Sequence, residues 1–373
     1  MPKLLVASGI FYPEPGGPAT YLRALLPALQ KRGWQVRVLT YGASQADGDC
    51  PYPVKRIERK SYPLRLATYA LAAHRGLAWA DVVYSHTIDL PLWTRRRAPR
   101  IMKVVGDQAW ERCLRKGWIP PELGIDDFQQ LAGDWRIDWQ KRSRSRQVAA
   151  QDAVIAPSMY LRDMALGWGV GPANIHVIYN ALPAMELPSE PRHSLRARLG
   201  WGDAPTLLTV ARLQRWKGID HLLEALAGLP DVRLVVAGDG PDRARLEGLA
   251  LPLGERVQFT GRLPAADVLR RMKAADGVAL YSAYEGLSHT LLESLRVGTP
   301  VLASAVGGNV EVVKAGINGL LVPHVDIAAL RAGIVELLAR RAELAANTPL
   351  GLEKFAFDRM VAATDATLRS LLA

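Results

Sequence analysis

The chain has 373 residues, 47 of them Lys or Arg and 36 Asp or Glu, for a net charge of +11 at neutral pH. That length exceeds one compact core and suits two domains, while Cys50 and Cys113 are too few for a disulfide framework and fit a reducing cytoplasm. No apolar run reaches the ~18–20 residues of a membrane span, the opening MPKLLVASGIFYPEPGG lacks a signal-peptide pattern, and no Cys/His cluster has metal-ligand spacing.

In chain order, KLLVASGI (3–10) reads as a strand and YPEPGGPA (12–19) as a turn. A helix follows from Thr20 to Lys31, with Leu22, Leu25, Leu26 and Leu29 on one face, Thr20 as its N-cap and Gly33 as its stop. WQVRVLTY (34–41), ADVVYSH (80–86), RIMKVVG (100–106), QDAVIAP (151–157) and NIHVIYN (174–180) read as further strands. The stretch 181–204 is rich in Pro and Ser and breaks the pattern. From Pro205 a second series of strands begins: 206–213, 232–240, 256–261, 277–283, 299–305 and 319–323. Helices 219–229, 243–253, 265–275 and 289–297 separate them. Buried strands alternating with amphipathic helices predict an α/β chain of two Rossmann-like, doubly wound parallel-sheet domains facing across a cleft. The expected division is 1–185, a linker at 186–204, 205–355, and a C-terminal helical segment at 356–373 that packs back on the first domain.

The chemistry concentrates in YEGLSHTLLESLRVGTPVLAS (284–304), which carries two carboxylates eight positions apart, Glu285 and Glu293. Ser288 is the expected N-cap of a helix from His289 to Val297, and Gly298 with Thr299-Pro300 ends it. Glu285 then lies in the loop before the helix and Glu293 more than one turn inside it. On a helix the two would stand ~80° apart, so they suit two parts of one extended ligand better than a general acid and base. The free amides at 287–290 favour a phosphate between them. Alternatively, Glu285 caps a turn and Glu293 solvates a helix. ARLQRWKG (211–218) follows the first strand of the second domain. It offers Arg212 as a fork and Lys217 as a point charge, a combination suited to a diphosphate.

RLQRWKG, followed by VVAGDGP, FTGRL, YEGLSHTLLE and VGGNVEVV, resembles the carboxyl-terminal domain of GT-B glycosyltransferases. More narrowly it is similar to retaining family 4 (glycosyl transferases group 1), and YPEPGGPATYLRALLPALQKRGWQVRVLTYG resembles that family's amino-terminal domain. The resemblance implies that Arg212 and Lys217 bind the donor diphosphate, that Glu293 binds ribose hydroxyls and that Glu285 binds and positions the transferred sugar. It places Gly286, Leu287, Ser288 and His289 against the phosphates and sugar, Gly261-Arg262 beside the nucleobase, and Gly16 and Gly17 close to the diphosphate. Family members of this type neutralise the leaving diphosphate with cations and a helix dipole, so no metal and no cofactor is expected. The Asp47-Gly48-Asp49 triplet is therefore rejected as a metal site. Gly106-Asp107 stands where many relatives carry a His. Asp107 is thus a catalytic candidate, with capping of AWERCLRKG as the alternative. Asn180-Ala181 replaces the usual Asn-Gly.

The implied reaction moves a hexose from a nucleotide diphosphate sugar, UDP-sugar first and GDP-mannose second, to a hydroxyl of a saccharide or lipid-linked acceptor with retention. The alternatives are a nucleotide-sugar epimerase of the same architecture, and a non-catalytic nucleotide-sugar or nucleic-acid binding protein. A nicotinamide enzyme is disfavoured because no strand leads into G-x-G-x-x-G, and no nucleic acid is expected as a partner. Residues 1–185 hold 25 Lys and Arg against 15 Asp and Glu, whereas 186–373 hold 22 against 21. RRRAPR (95–100) and KRSRSR (141–146), with Trp93, Trp110, Trp118, Trp135 and Trp139 near in sequence, concentrate that surplus. They suit either a solvated face or peripheral contact with an anionic membrane carrying a lipid-linked acceptor. A cytoplasmic protein, soluble or peripheral on the inner face of the membrane, is the expected setting.

Overall fold

In a computed structural model, which describes residues 1–14, 16–43, 50–59, 61–86 and 98–372, the apolar strands are buried on both faces. Asp47-Gly48-Asp49, Trp93 and Arg95 to Arg97 lie outside the described residues. The chain divides into two units. One holds residues 1–111, 132–183 and 357–373, the other 112–131 and 184–356.

The first unit runs β1 (Lys3–Ser8), α1 (Gly17–Lys31), β2 (Gln35–Tyr41), β3 (Val54–Ile57), α2 (Tyr62–Trp79), β4 (Val82–His86) and β5 (Arg100–Lys103). It continues through α3 (Gln108–Arg115), whose end passes into the second unit together with α4 (Ile125–Gln130), and returns in α5 (Trp135–Ala149), β6 (Ala153–Ala156), α6 (Met159–Gly167) and β7 (Ile175–Val177). Its parallel sheet has the order β3-β2-β1-β4-β5-β6-β7, so the winding reverses between β1 and β4. The period of two along β1 explains its unbroken apolar run. Leu4 and Val6 pack with Leu22, Leu25, Leu26 and Leu29 of α1, while Leu5 and Ala7 meet Tyr69, Ala73 and Leu77 of α2.

Helix α1 starts one turn earlier than its sequence pattern suggests. Gly16 is the cap, Pro18 fits the first turn because it has no N–H to satisfy, and Thr20 lies inside, donating its backbone N–H to the Gly16 carbonyl at 3.1 Å. Gly33, with a φ of 92°, does follow its end.

The second unit runs α7 (Arg192–Leu199), β8 (Thr206–Val210), α8 (Ile219–Ala227), β9 (Arg233–Ala237), α9 (Arg243–Ala250), β10 (Val257–Gly261), α10 (Ala265–Ala274) and β11 (Gly277–Leu280). It closes with α11 (His289–Arg296), β12 (Val301–Ser304), α12 (Asn309–Val312), β13 (Gly319–Val322), α13 (Ile327–Ala339) and α14 (Arg341–Ala346). Its sheet is β10-β9-β8-β11-β12-β13, again parallel, with the reversal between β8 and β11.

Helix α7 corrects the expected linker at 186–204. It belongs to the second unit, anchored by Arg196, which donates to the Ala274 carbonyl (3.0 Å) and to Asp276 (3.1 Å), and by fully buried Leu195. Pro191 precedes its first turn, so the prolines that suggested a linker partly serve as a helix start. The last helix, α15 (Phe357–Ser370), belongs to the first unit. Met360, Val361 and Leu368 enter that core, and Asp365 accepts the Trp34 indole N–H at 2.7 Å.

Candidate functional site

Ligands of parallel α/β sheets sit at the carboxyl ends of the strands, where the winding reverses. In the second unit that place lies between β8 and β11. The chain leaving β8 is tied to the chain leaving β9 by Ala211 N–H to Ala237 O (3.1 Å) and Leu213 N–H to Asp239 O (3.1 Å). It then makes a short 3-10 turn, Arg215–Lys217, and passes β11 through Gly218. Gly218 has a φ of 62°, and a β-carbon there would stand 2.1 Å from the Tyr281 carbonyl oxygen. Only glycine permits this crossing, and the Ala283 N–H locks it by donating to Trp216 O at 2.7 Å.

Lys217 is thereby delivered to Glu285. Its Nζ lies 2.6 Å from Glu285 Oε1, and the two side chains are 18% and 14% exposed. The Ser282 hydroxyl donates to the same oxygen at 2.8 Å. Behind it, the Ser304 hydroxyl donates to the Ser282 carbonyl (2.5 Å) and Asn309 Nδ2 donates to the Ser304 carbonyl (3.1 Å). The Glu285 backbone is fixed as well. Its carbonyl accepts from Gly308 N–H at 2.8 Å, and a β-carbon on Gly307 would approach it to 2.3 Å. Side chain and main chain are therefore both held before any ligand arrives.

Ser288 caps α11 by accepting the Leu291 N–H at 3.3 Å, and Gly298, with a φ of 85°, follows the helix end. The Thr290 hydroxyl lies 3.5 Å from the Val210 carbonyl, so this helix face runs over the end of β8. Glu293 follows Thr290 by three positions and shares that face. Its carboxylate has no hydrogen-bond partner among the described residues, and burial pushes its pKa up to about 7. The two glutamates thus differ in kind: Glu285 is held by a lysine and a serine, while Glu293 is partly desolvated and unpaired among the described residues. Arg212 and Arg262 are exposed and form no ion pair among the described residues. Gly286 and His289 are part-exposed, whereas Leu287 and Ser288 are buried. Around β8 and β11 the fold therefore gathers Lys217, Glu285 and the start of α11, with Arg212 two residues beyond β8 and Arg262 one beyond β10.

In the first unit, Gly16 caps α1 and Gly17 opens it. A β-carbon on Gly17 would meet nothing within 4 Å, so no packing within the protein demands a glycine there. Asp107 takes up the capping role that stood as the alternative to catalysis. It is fully buried. One oxygen caps α3, accepting from Ala109 N–H (2.9 Å) and Trp110 N–H (3.3 Å), and the other pairs with Arg144, whose guanidinium lies 4.2 Å from the centre of the Trp168 ring. A carboxylate so engaged positions α3 and α5. Asp107→Ala is expected to lower unfolding stability by ~3–5 kcal/mol, because Arg144 is left buried without its counter-ion. Urea denaturation measures this. A variant as stable as the parent yet inactive would return Asp107 to the chemistry.

Two groups escaped the sequence reading as a pair. His86 and Lys103 are register partners at the ends of β4 and β5, next to the reversal point. They are 1% and 2% exposed, and neither ring nitrogen of His86 nor Lys103 Nζ has a hydrogen-bond partner among the described residues. The ammonium lies 3.7 Å from the centre of the Tyr21 ring. Burial pushes the Lys103 pKa well down; burial and then the neighbouring lysine do the same to His86. Burial also pushes the Tyr21 hydroxyl up to about 12. In a sequence, RIMKVVG shows only a strand with one lysine; its partner on the next strand is invisible.

Among the described residues no three His, Cys, Asp or Glu side chains gather as a metal ion would require, and no helix is long and apolar enough to cross a membrane.

Comparison with known proteins identifies the family. Residues 15–184 match the model of Glycosyltransferase Family 4 and residues 192–348 that of Glycosyl transferases group 1. A D-inositol 3-phosphate glycosyltransferase of Mycobacterium sp. (strain KMS) is 36% identical, over 88% of this chain and 79% of its own. Among solved structures, sucrose-phosphate synthase from Thermosynechococcus elongatus superposes with a TM-score of 0.82 at 24% identity, covering 100% of this chain and 99% of that one. Anabaena HepE in complex with UDP-glucose gives 0.74 at 22%, covering 99% of each. The chain therefore belongs to the group 1, family 4 glycosyltransferases, and its two parallel sheets are those of the GT-B fold.

Proposed function

We propose that the protein transfers a hexose from a nucleotide diphosphate sugar to a hydroxyl of a saccharide or lipid-linked acceptor, with retention at the anomeric carbon. The observation that carries this reading is the clamp around β8 and β11. Lys217 is pinned beside Glu285, Arg212 is exposed, and Glu293 is a part-buried carboxylate with no hydrogen-bond partner among the described residues. Arg212 and Lys217 take the diphosphate, with the amides of Gly286 to His289 beside it. Glu285 takes hydroxyls of the sugar and Glu293 those of the ribose, while Arg262 stands near the base. The acceptor oxygen attacks C1 from the face that the diphosphate leaves. The C1–O bond to phosphate breaks as the new one forms, and the departing phosphate oxygen takes the hydroxyl proton. The cations and the helix start offset the leaving charge, so no metal enters this scheme.

Uridine is the base to test first and guanosine second. HepE holds UDP-glucose in its own structure, which supports that order. The Mycobacterium relative is named for a phosphorylated polyol, an acceptor class that would suit the basic first half of this chain. Thermal shift with UDP-, GDP- and ADP-sugars identifies the donor, because a ligand that binds only the folded state raises the midpoint. A UDP-sugar is expected to raise it most. Stabilisation by none of the three, or a product of inverted configuration by NMR, would overturn the reading.

A further inference from the structure

Helix α5 carries two faces of opposite character. At roughly 100° per residue, Ile137, Gln140, Arg144 and Val148 fall on one side, and all four are buried. Trp135, Trp139, Arg142 and Arg146 fall within an arc of roughly 60° on the other side. All four are exposed, the two indoles at 75% and 55%. Arg142 and Arg146 form no ion pair among the described residues. The helix as a whole holds five cations and one acid, Asp138.

We infer that this stripe is a membrane-docking surface, on which the two tryptophans enter the headgroup region of an anionic bilayer while Arg142 and Arg146 contact lipid phosphates. An indole joins an apolar body to one N–H donor and settles at the boundary between hydrocarbon and water. Arginines one turn further along the same face match the negative surface potential of anionic lipid. About 22 Å of helix lying flat would present all four side chains at once, as an interfacial helix does. A second copy of the chain fits the stripe less well. A two-fold interface sets the same patch on both partners, which would press Arg142 and Arg146 against their own copies. A soluble saccharide would find hydroxyl acceptors scarce on this face, since Asp138 is the only acid. The inference deepens the lipid-linked branch of the proposed function and rests on it for its purpose, but its physics is separate from donor binding.

The test is co-sedimentation of the full chain with phosphatidylglycerol-containing vesicles and with pure phosphatidylcholine vesicles, at low and high salt. Binding to the first and release by salt are expected. Trp135→Ser with Trp139→Ser should weaken that binding at least tenfold. Arg142→Ser and Arg146→Ser should each weaken it about fivefold. The thermal midpoint and its rise with nucleotide sugar should stay unchanged in every variant, which shows that fold and donor site are intact. Equal sedimentation of parent and variants, or no salt-sensitive binding by the parent, overturns the inference and leaves the donor reading standing. So does a change confined to oligomeric state or to KM for a soluble acceptor. Failure of the nucleotide-sugar shift in the parent would instead sink the donor reading alone.

Discussion

Lys217→Ala should lower kcat/KM for the nucleotide-sugar donor by about 10²–10³-fold, or about 2.7–4 kcal/mol of transition-state stabilisation. The size follows from where the charge sits. Lys217 is mostly buried and held in place by the Gly218 crossing, so little reorganisation is needed when negative charge grows on the leaving diphosphate. A preorganised cation in a site of reduced dielectric outweighs a flexible surface lysine, whose ion pairs contribute little. The exposed Lys55→Ala is the control and should leave turnover unchanged.

Glu285 sharpens the same experiment. In the free protein it occupies the ammonium that the diphosphate is proposed to take. Glu285→Gln keeps the shape but releases Lys217 from its pair. Affinity for UDP itself, which has no sugar for Glu285 to hold, should then be unchanged or tighter, while transfer falls steeply. Isothermal titration with UDP and a transfer assay separate the two effects. Loss of UDP affinity in Glu285→Gln, or parental turnover in Lys217→Ala, would sink the proposed division of labour.

The features legible in the sequence were the local ones. A cap such as Ser288 is decided within three residues, and the stop at Gly298 within one turn. The βαβ rhythm comes from periods of 2 and 3.6 that any window reveals. What escaped depended on residues far apart. Lys217 and Glu285 are 68 positions apart, and Asp107 and Arg144 are 37 apart. The cap half of Asp107's role was foreseeable from AWERCLRKG, but its counter-ion was not. Helix α7 was hidden because proline density signals both linkers and helix starts. β3 is faint in the sequence because Pro53 and the short VKRI run carry too weak an alternation to read. Glu293 shows the limit most clearly. Its position on α11 was readable, but its loss of solvent was not, and that loss determines how it behaves.

The consequence of that burial can be measured in two directions. The unfolded chain releases the Glu293 proton near pH 4.5 and the folded chain near 7. Between those values the folded state binds more protons, so stability falls as pH rises through the window and levels off above 7. The full difference is ~3 kcal/mol. Glu293→Gln has no charge to desolvate. It should match the parent near pH 4.5 and exceed its unfolding stability by up to ~3 kcal/mol at pH 8, as read by urea denaturation at several pH values. Donor binding should run the other way. Two ribose hydroxyls need an ionised carboxylate to accept both hydrogen bonds. Parental affinity for a nucleotide sugar should therefore rise about tenfold per pH unit up to about 7 and flatten above it. A nucleotide sugar is the proper probe, because it lacks the terminal phosphate ionisation near about pH 6 that confuses a free nucleotide. Glu293→Gln should bind roughly 10–100-fold more weakly at pH 8, the worth of hydrogen bonds to a charged acceptor, and should show no slope. A variant that is no more stable than the parent at pH 8 would remove the desolvation account. A parent whose donor affinity ignores pH would remove Glu293 from the ribose. If both results hold, the fold keeps a carboxylate that weakens it because the donor's ribose satisfies it.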